Sequence, residues 1–188
     1  MTRHHGGDVS SPRRVRTERL VLRPWTDSDE DAAALHAVLS HDDVWPWLGT
    51  VPRPCPDPEA ARATARRWAG LADGVLGVRA VEAPDVDAAV QPCGSVLLLS
   101  LPRTDGARSD AVEIGWHLHP SAWGHGIAVE AARALVVQAR DAGLGRLHAV
   151  VRPGNTRSLA VCDRLGMTRL GVTDEWYGMT VVDHVLDL

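Results

Sequence analysis

The chain has 188 residues, 45% hydrophobic and 23% charged, with a net charge of −4. This composition excludes a wholly disordered polypeptide and suffices for one domain with a sizeable core. The negative balance argues against broad nucleic-acid binding, and no run approaches the roughly 18 apolar residues of a membrane span. Cys55, Cys93 and Cys162 are odd in number and far apart, with no C-x-x-C pair. Neither a zinc site nor a disulfide framework is expected, no metal is called for, and a reduced, cytoplasmic setting fits.

Residues 1–16 carry basic side chains without an apolar run behind them, so they read as a flexible tail and not a secretory signal. His4 and His5 read as solvated. Residues 17–188 read as one domain. Arg19–Pro24 alternates apolar and charged residues, as a half-buried strand does. Asp27–Asp31 places carboxylates at a helix start, and Leu35, Val38 and Leu39 give that helix an apolar stripe. Trp45 and Trp47 form an aromatic cluster before a second helix. Asp57-Pro58-Glu59 starts that helix, with Asp as cap and Pro in the first turn, and it runs to near Gly74. Arg62, Arg66 and Arg67 read as its solvated face.

Val75–Ala83 reads as a strand, Gly94–Leu101 as a central strand buried on both faces, and Ala111–His119 as a third. A helix follows over Ile127–Ala142, packing Ala128, Ala131, Ala132, Leu135, Val136 and Ala139, with Gly143 ending it. Arg146–Arg152 is a strand, Asn155–Leu165 a helix and Met167–Val172 a strand. The last strand covers Tyr177–Leu188. The two βαβ-like passages predict an α/β domain with a mixed sheet and helices on its faces.

The sharpest local feature is the turn Trp123-Gly-His-Gly126 between a strand and a helix. The first N–H groups of a helix have no internal acceptor, and with the helix dipole they favour an anion. Gly124 and Gly126 lack a Cβ, which lets phosphate approach the backbone. A P-loop is excluded because Ile127-Ala128 stands where Lys-Ser/Thr is needed, and Val129 breaks the dinucleotide fingerprint.

In this segment the chain resembles the GNAT superfamily of N-acetyltransferases, and more narrowly its ribosomal-protein-alanine (RimJ/RimL-like) branch. Thr17-Glu-Arg-Leu-Val-Leu-Arg-Pro24 matches the branch's T-E-R-L-x-L-R-P opening. Gly115–Ala131 matches its glycine-turn signature, with Trp123 where the superfamily often has Gln or Arg. Arg152–Ser158 matches x-P-x-N-x-x-S, and Leu165-Gly-Met167 matches L-G-F/M. The resemblance implies a mostly antiparallel sheet splayed between two central parallel strands. It implies acetyl-CoA as co-substrate, with its pantetheine arm along His117, Leu118 and His119. The pyrophosphate would sit on Trp123, Gly124, His125, Gly126, Ile127 and Ala128, with Asn155 and Ser158 near the sulfur end. Asn155 also reads as a simple helix cap.

Many superfamily members place a tyrosine acid seven residues after the Asn; Cys162 stands there and reads as a core residue. The branch points to Ser158 as acid. Candidate bases are Glu175, preferred because it maps near a proposed base of the branch, and Glu113, whose alternation partners are Gly115 and His117. Tyr177 is a further candidate or a lining residue. The implied reaction is direct attack of a primary amine, on a protein N-terminus or a small molecule, on the thioester. Alternatives are another donor such as succinyl-CoA, or a non-catalytic acyl-CoA-binding module. A homodimer using the last strands and Trp176-Tyr177 is a further expectation.

Overall fold

A computed structural model describes residues 14–188. One eight-stranded sheet contains β1 (Val15–Arg16), β2 (Val21–Pro24), β3 (Gly77–Glu82), β4 (Gly94–Ser100), β5 (Val112–Leu118), β6 (Arg146–Val151), β7 (Thr168–Thr173) and β8 (Val181–Asp187). Their spatial order is β1-β2-β3-β4-β5-β6-β8-β7. The helices are α1 (Asp29–Leu39), α2 (Pro58–Ala69), α3 (Ile127–Asp141) and α4 (Thr156–Leu165), with short 3-10 turns at Trp45–Trp47 and Pro120–Ala122.

Local chemistry explains the helix starts. The Ser28 side chain caps α1 by accepting from the Asp31 N–H, and Asp57 caps α2 by accepting from Ala60, with Pro58 opening the helix. Asp31 does more than favour the helix dipole. It is 2% exposed and accepts two 2.7 Å bonds from the Arg23 guanidinium, which anchors α1 to β2. Arg62, read as part of a solvated face, instead joins the start of α1 by pairing with Asp29 at 2.5 Å.

α1 and α2 bury Leu35, Ala61 and Ala65 against Trp25, Val78 and Ala80 on one face of the sheet. α3 and α4 cover the other face through Ala131, Ala132, Leu135, Ala139 and Cys162, which meet Leu22, Val96, Leu98, Ile114 and Leu147. Helices therefore lie on both faces, as expected. Neighbouring strands are antiparallel except for β5 and β6, which run parallel and pair only at Glu113 and His148. Beyond that point they diverge, which is the expected splay.

Several boundaries differ from the sequence reading. Val15–Arg16, expected in the tail, forms β1 against Val21 and Leu22. His4 and His5 lie outside the described residues. The last strand begins at Val181 because Tyr177 (φ 58°) and Gly178 (φ 69°) make a turn. On α3 the fully buried positions include Ile127 and Val129, while Ala128 and Val136 are half-buried. Trp176, expected at a subunit surface, is 5% exposed in a small cluster with Leu101 and Val181. Among the described residues no helix is long and apolar enough to cross a membrane.

Candidate active site

The divergence of β5 from β6 opens a cleft of about 1120 Å³. Of the expected cofactor residues, His117, Leu118, Trp123, Gly124, Gly126, Ile127, Ala128, Asn155 and Ser158 line it, while His119 and His125 do not.

The direction of the β5 backbone sharpens that set. The His119 N–H donates to Cys93 O at 2.8 Å, toward β4. Successive residues of a strand point their backbone groups to opposite sides, so Leu118 and Trp116 face the gap and His117 does not. Of the expected segment His117 to His119, the Leu118 backbone, with that of Trp116, is thus free toward the gap, whereas the His117 and His119 groups turn toward β4. The Leu118 carbonyl already accepts from the Trp123 indole at 3.0 Å. Trp116 lines the cleft, and its indole nitrogen is buried without a partner among the described residues.

At the glycine turn, Gly124 and Gly126 have φ of 82° and 76°, a left-handed conformation that only glycine adopts without strain. Gly126 caps α3 without a side-chain hydrogen bond, and the first helical bond runs from the Glu130 N–H to Gly126 O. The N–H groups of Ile127, Ala128 and Val129 are thus left for an acceptor outside the helix. Trp123 is an exception to the expectation, since its N–H donates to Pro120 O at 3.0 Å.

Two features here were not read from the sequence. The Arg157 guanidinium lies 4.3 Å from the centroid of the Trp123 ring and brings a cation to the turn. Behind the turn, Arg19 donates to Glu130 (2.8 Å) and to the His125 carbonyl (3.1 Å), while Thr17 donates to Glu130 at 2.5 Å. Burial alone would raise the Glu130 carboxyl, but the bonds from Thr17 and Arg19 hold it below its ordinary value. The opening Thr-Glu-Arg motif therefore braces the glycine turn. Both halves of this clamp lay within recognised motifs; their 111-residue separation hid the pairing.

Asn155 caps α4, its Oδ1 accepting from the Ser158 N–H at 3.2 Å. It thus has its local role while still lining the cleft. Cys162 is fully buried in the core, and burial, with nearby Asp163, pushes its thiol up to about 12. It does not line the cleft, so it does not take the place of a tyrosine acid.

The two candidate bases separate clearly. Glu113 lines the cleft beside the last β5–β6 pair and accepts a 2.5 Å hydrogen bond from the Tyr177 hydroxyl. Burial pushes its carboxyl up to about 7, the Tyr177 bond acting in the opposite direction. Tyr177 is itself raised, by burial and by the Glu113 charge, so it remains a protonated donor. Glu175 does not line the cleft; its carboxylate pairs with Arg103.

On the α1–α2 side, the Arg152 guanidinium donates to Gly49 O (2.6 Å) and Thr50 O (3.1 Å), tying the α1–α2 connection across to the end of β6. Trp47 from this connection reaches the cleft, whereas Trp45 turns away to Asp42.

A splayed mixed sheet, a helix whose amino end opens into the splay and a carboxylate at its base define an acyl-transfer fold. Residues 19–168 match the acetyltransferase (GNAT) domain family, and the chain belongs to that family of acyltransferases. It is 29% identical over 164 residues to the uncharacterized N-acetyltransferase YoaA of Bacillus subtilis, covering 86% of each chain. Its fold is shared with a GNAT-family acetyltransferase from Bacillus anthracis (TM-score 0.71, 22% identity, 93% of this chain and 98% of that one). It is also shared with RimL, a ribosomal L7/L12 α-N-protein acetyltransferase in complex with coenzyme A (TM-score 0.69, 20% identity, 94% and 98%). A third similar structure is Mycobacterium smegmatis RimJ (TM-score 0.67, 22% identity, 89% and 81%).

Proposed function

We propose that this enzyme transfers the acetyl group of acetyl-CoA to a primary amine, with Glu113 as general base. The observation that carries the reading is Glu113 at the base of the splay, on the same cleft as the uncapped start of α3.

The residues present fit the co-substrate. The N–H groups of Ile127, Ala128 and Val129 and the Arg157 cation match a pyrophosphate. The outward backbone groups of Trp116 and Leu118 match the amides of a pantetheine arm, and the unpartnered Trp116 indole offers a further donor. Bound acetyl-CoA supplies an activated thioester carbonyl.

Glu113 does the proton work. An amine near neutral pH is mostly ammonium, and a carboxylate with a pKa near the working pH removes that proton efficiently. Tyr177 holds the Glu113 oxygen in place. Ser158 lines the opposite wall, where its hydroxyl can donate to the departing sulfur. A thiol pKa of about 8.5 makes that assistance modest, so positioning by the cleft supplies much of the rate. The acceptor is a protein N-terminal α-amine or a small-molecule amine. The free Cys55, Cys93 and Cys162 suit a reducing cytoplasm.

The test is acetyl-CoA with a panel of amines and short peptides, following free thiol and product mass. Acceptor-dependent thiol release with a product heavier by one acetyl group is expected. Tight acetyl-CoA binding without any transfer would instead favour a non-catalytic acyl-CoA-binding module.

A further inference from the structure

The acetyl-transfer reading leaves the acceptor open, and the half of the cleft under α1 and α2 bears on it. Its walls are Leu39, Val44, Trp47, Trp68, Leu97 and Leu99. Trp47 is 36% exposed and Val51 65% exposed, so apolar surface continues out to the mouth. Such a patch on a cleft rim marks a binding surface and not packing. Inside, the His117 ring lies 5.8 Å from the Trp68 ring, and its Nε2 is buried without a hydrogen-bond partner among the described residues. Native structures rarely leave such an atom unpaired, so it points to a ligand group.

Charge in the cleft is one-sided. The lining carboxylates are Glu113 and Asp43, and Asp43 is exposed beside His41. The lining arginines are Arg53, Arg67, Arg152, Arg157 and Arg164. Arg157 and Arg164 belong to α4, on the side that suits phosphates. Arg152 is held by backbone carbonyls, and Arg53 and Arg67 come from the α1–α2 connection and α2. One ammonium has a half-buried partner in Glu113. A second or third would have none of comparable burial and would face arginines.

We infer, on the basis of that acetyl-transfer reading, that the acceptor carries a single amine on an apolar, aromatic-sized body, and that polycationic amines are rejected. The amine sits at Glu113, the apolar body lies between Trp47 and Trp68, and His117 receives a neutral polar group where the acceptor has one. Rejection comes from missing counter-charge and not from lack of room.

The decisive experiment offers the enzyme equimolar 2-phenylethylamine, tryptamine, spermidine and kanamycin with acetyl-CoA and reads product masses. The expected kcat/KM for the aromatic monoamines is at least about tenfold above that for spermidine. Trp47→Ala, which removes a side chain at the rim and not in the core, should raise KM for 2-phenylethylamine about tenfold. Arg67→Glu should raise turnover of spermidine. Preferential acetylation of spermidine or kanamycin would overturn the inference and leave acetyl transfer standing. Transfer to a short peptide N-terminus but to none of these four amines would overturn the inference alone, and no transfer to any of these amines or to peptides, by protein that binds acetyl-CoA in a titration, would overturn both.

Discussion

The two walls of the cleft are built on different principles. The α3–α4 wall presents backbone, with glycines that free N–H groups, a helix start and a clamp that holds them. The α1–α2 wall and the base of the splay present side chains gathered from distant segments: Glu113, His117, Trp47, Trp68 and Tyr177. A backbone site demands particular residues at fixed spacing, and so leaves a motif. A side-chain site demands only that the fold bring suitable groups together.

The contrast can be broken most sharply at Glu113. Glu113→Gln should lower kcat/KM by about 10²- to 10⁴-fold and abolish an acidic limb centred near pH 7, read from thiol release across pH 5 to 9. Its effect on stability has the opposite sign. Burial raises the folded carboxyl to about 7 from an ordinary 4.5, so the folded state binds the proton more tightly than the unfolded one. That stability is fully present below about pH 4.5 and is lost as pH rises through 7. Glu113→Gln should therefore be more stable than the parent at pH 8, by on the order of 2 kcal/mol, in urea denaturation at both pH values. Equal stability there would mean that Glu113 is better solvated than the structure implies.

An intermediate effect is expected on the backbone side. Arg19→Ala removes the brace on Glu130 and on the His125 carbonyl without touching the cleft lining. Acetyl-CoA should bind about tenfold more weakly by calorimetry, as the turn gains freedom that binding must then remove. An unchanged Kd would show that Gly124 and Gly126 set the turn unaided.

Glu175→Gln should have the smallest effect, within about twofold in kcat/KM from pH 6 to 9, because the carboxylate lies outside the cleft against Arg103. A loss comparable to that of Glu113→Gln would return the base to Glu175.

Legibility in the sequence followed the same division. The α3 start, the Asp57 cap and the alternation of β5 were readable because each depends on residues near in sequence. β1 was not, since two residues flanked by polar chain carry no periodicity and form a strand only by pairing with Val21 and Leu22. The start of the last strand was misplaced at Tyr177 because a tyrosine with φ of 58° gives no sign in sequence that it belongs to a turn. Glu113 and Glu175 were hard to tell apart for a related reason. Both stand in plausible strands or strand ends, and only the pairing of Arg103 with Glu175 and of Tyr177 with Glu113 separates them. His117 was placed by sequence on an arm-binding backbone, but the β4 register turns that backbone toward β4, and its side chain lines the cleft beside Trp68.

The single Glu113–His148 pair between β5 and β6 has a mechanical meaning. The sheet is two sheets, β1 to β5 and β6-β8-β7, stitched at one point and held otherwise by the helices packed across them. A molecule that lies against Trp116 and Leu118 completes the interrupted ladder as a ninth strand would. In the proposed reaction, loading the donor and stiffening the enzyme are then the same event, and the proposed base, Glu113, sits at the stitch.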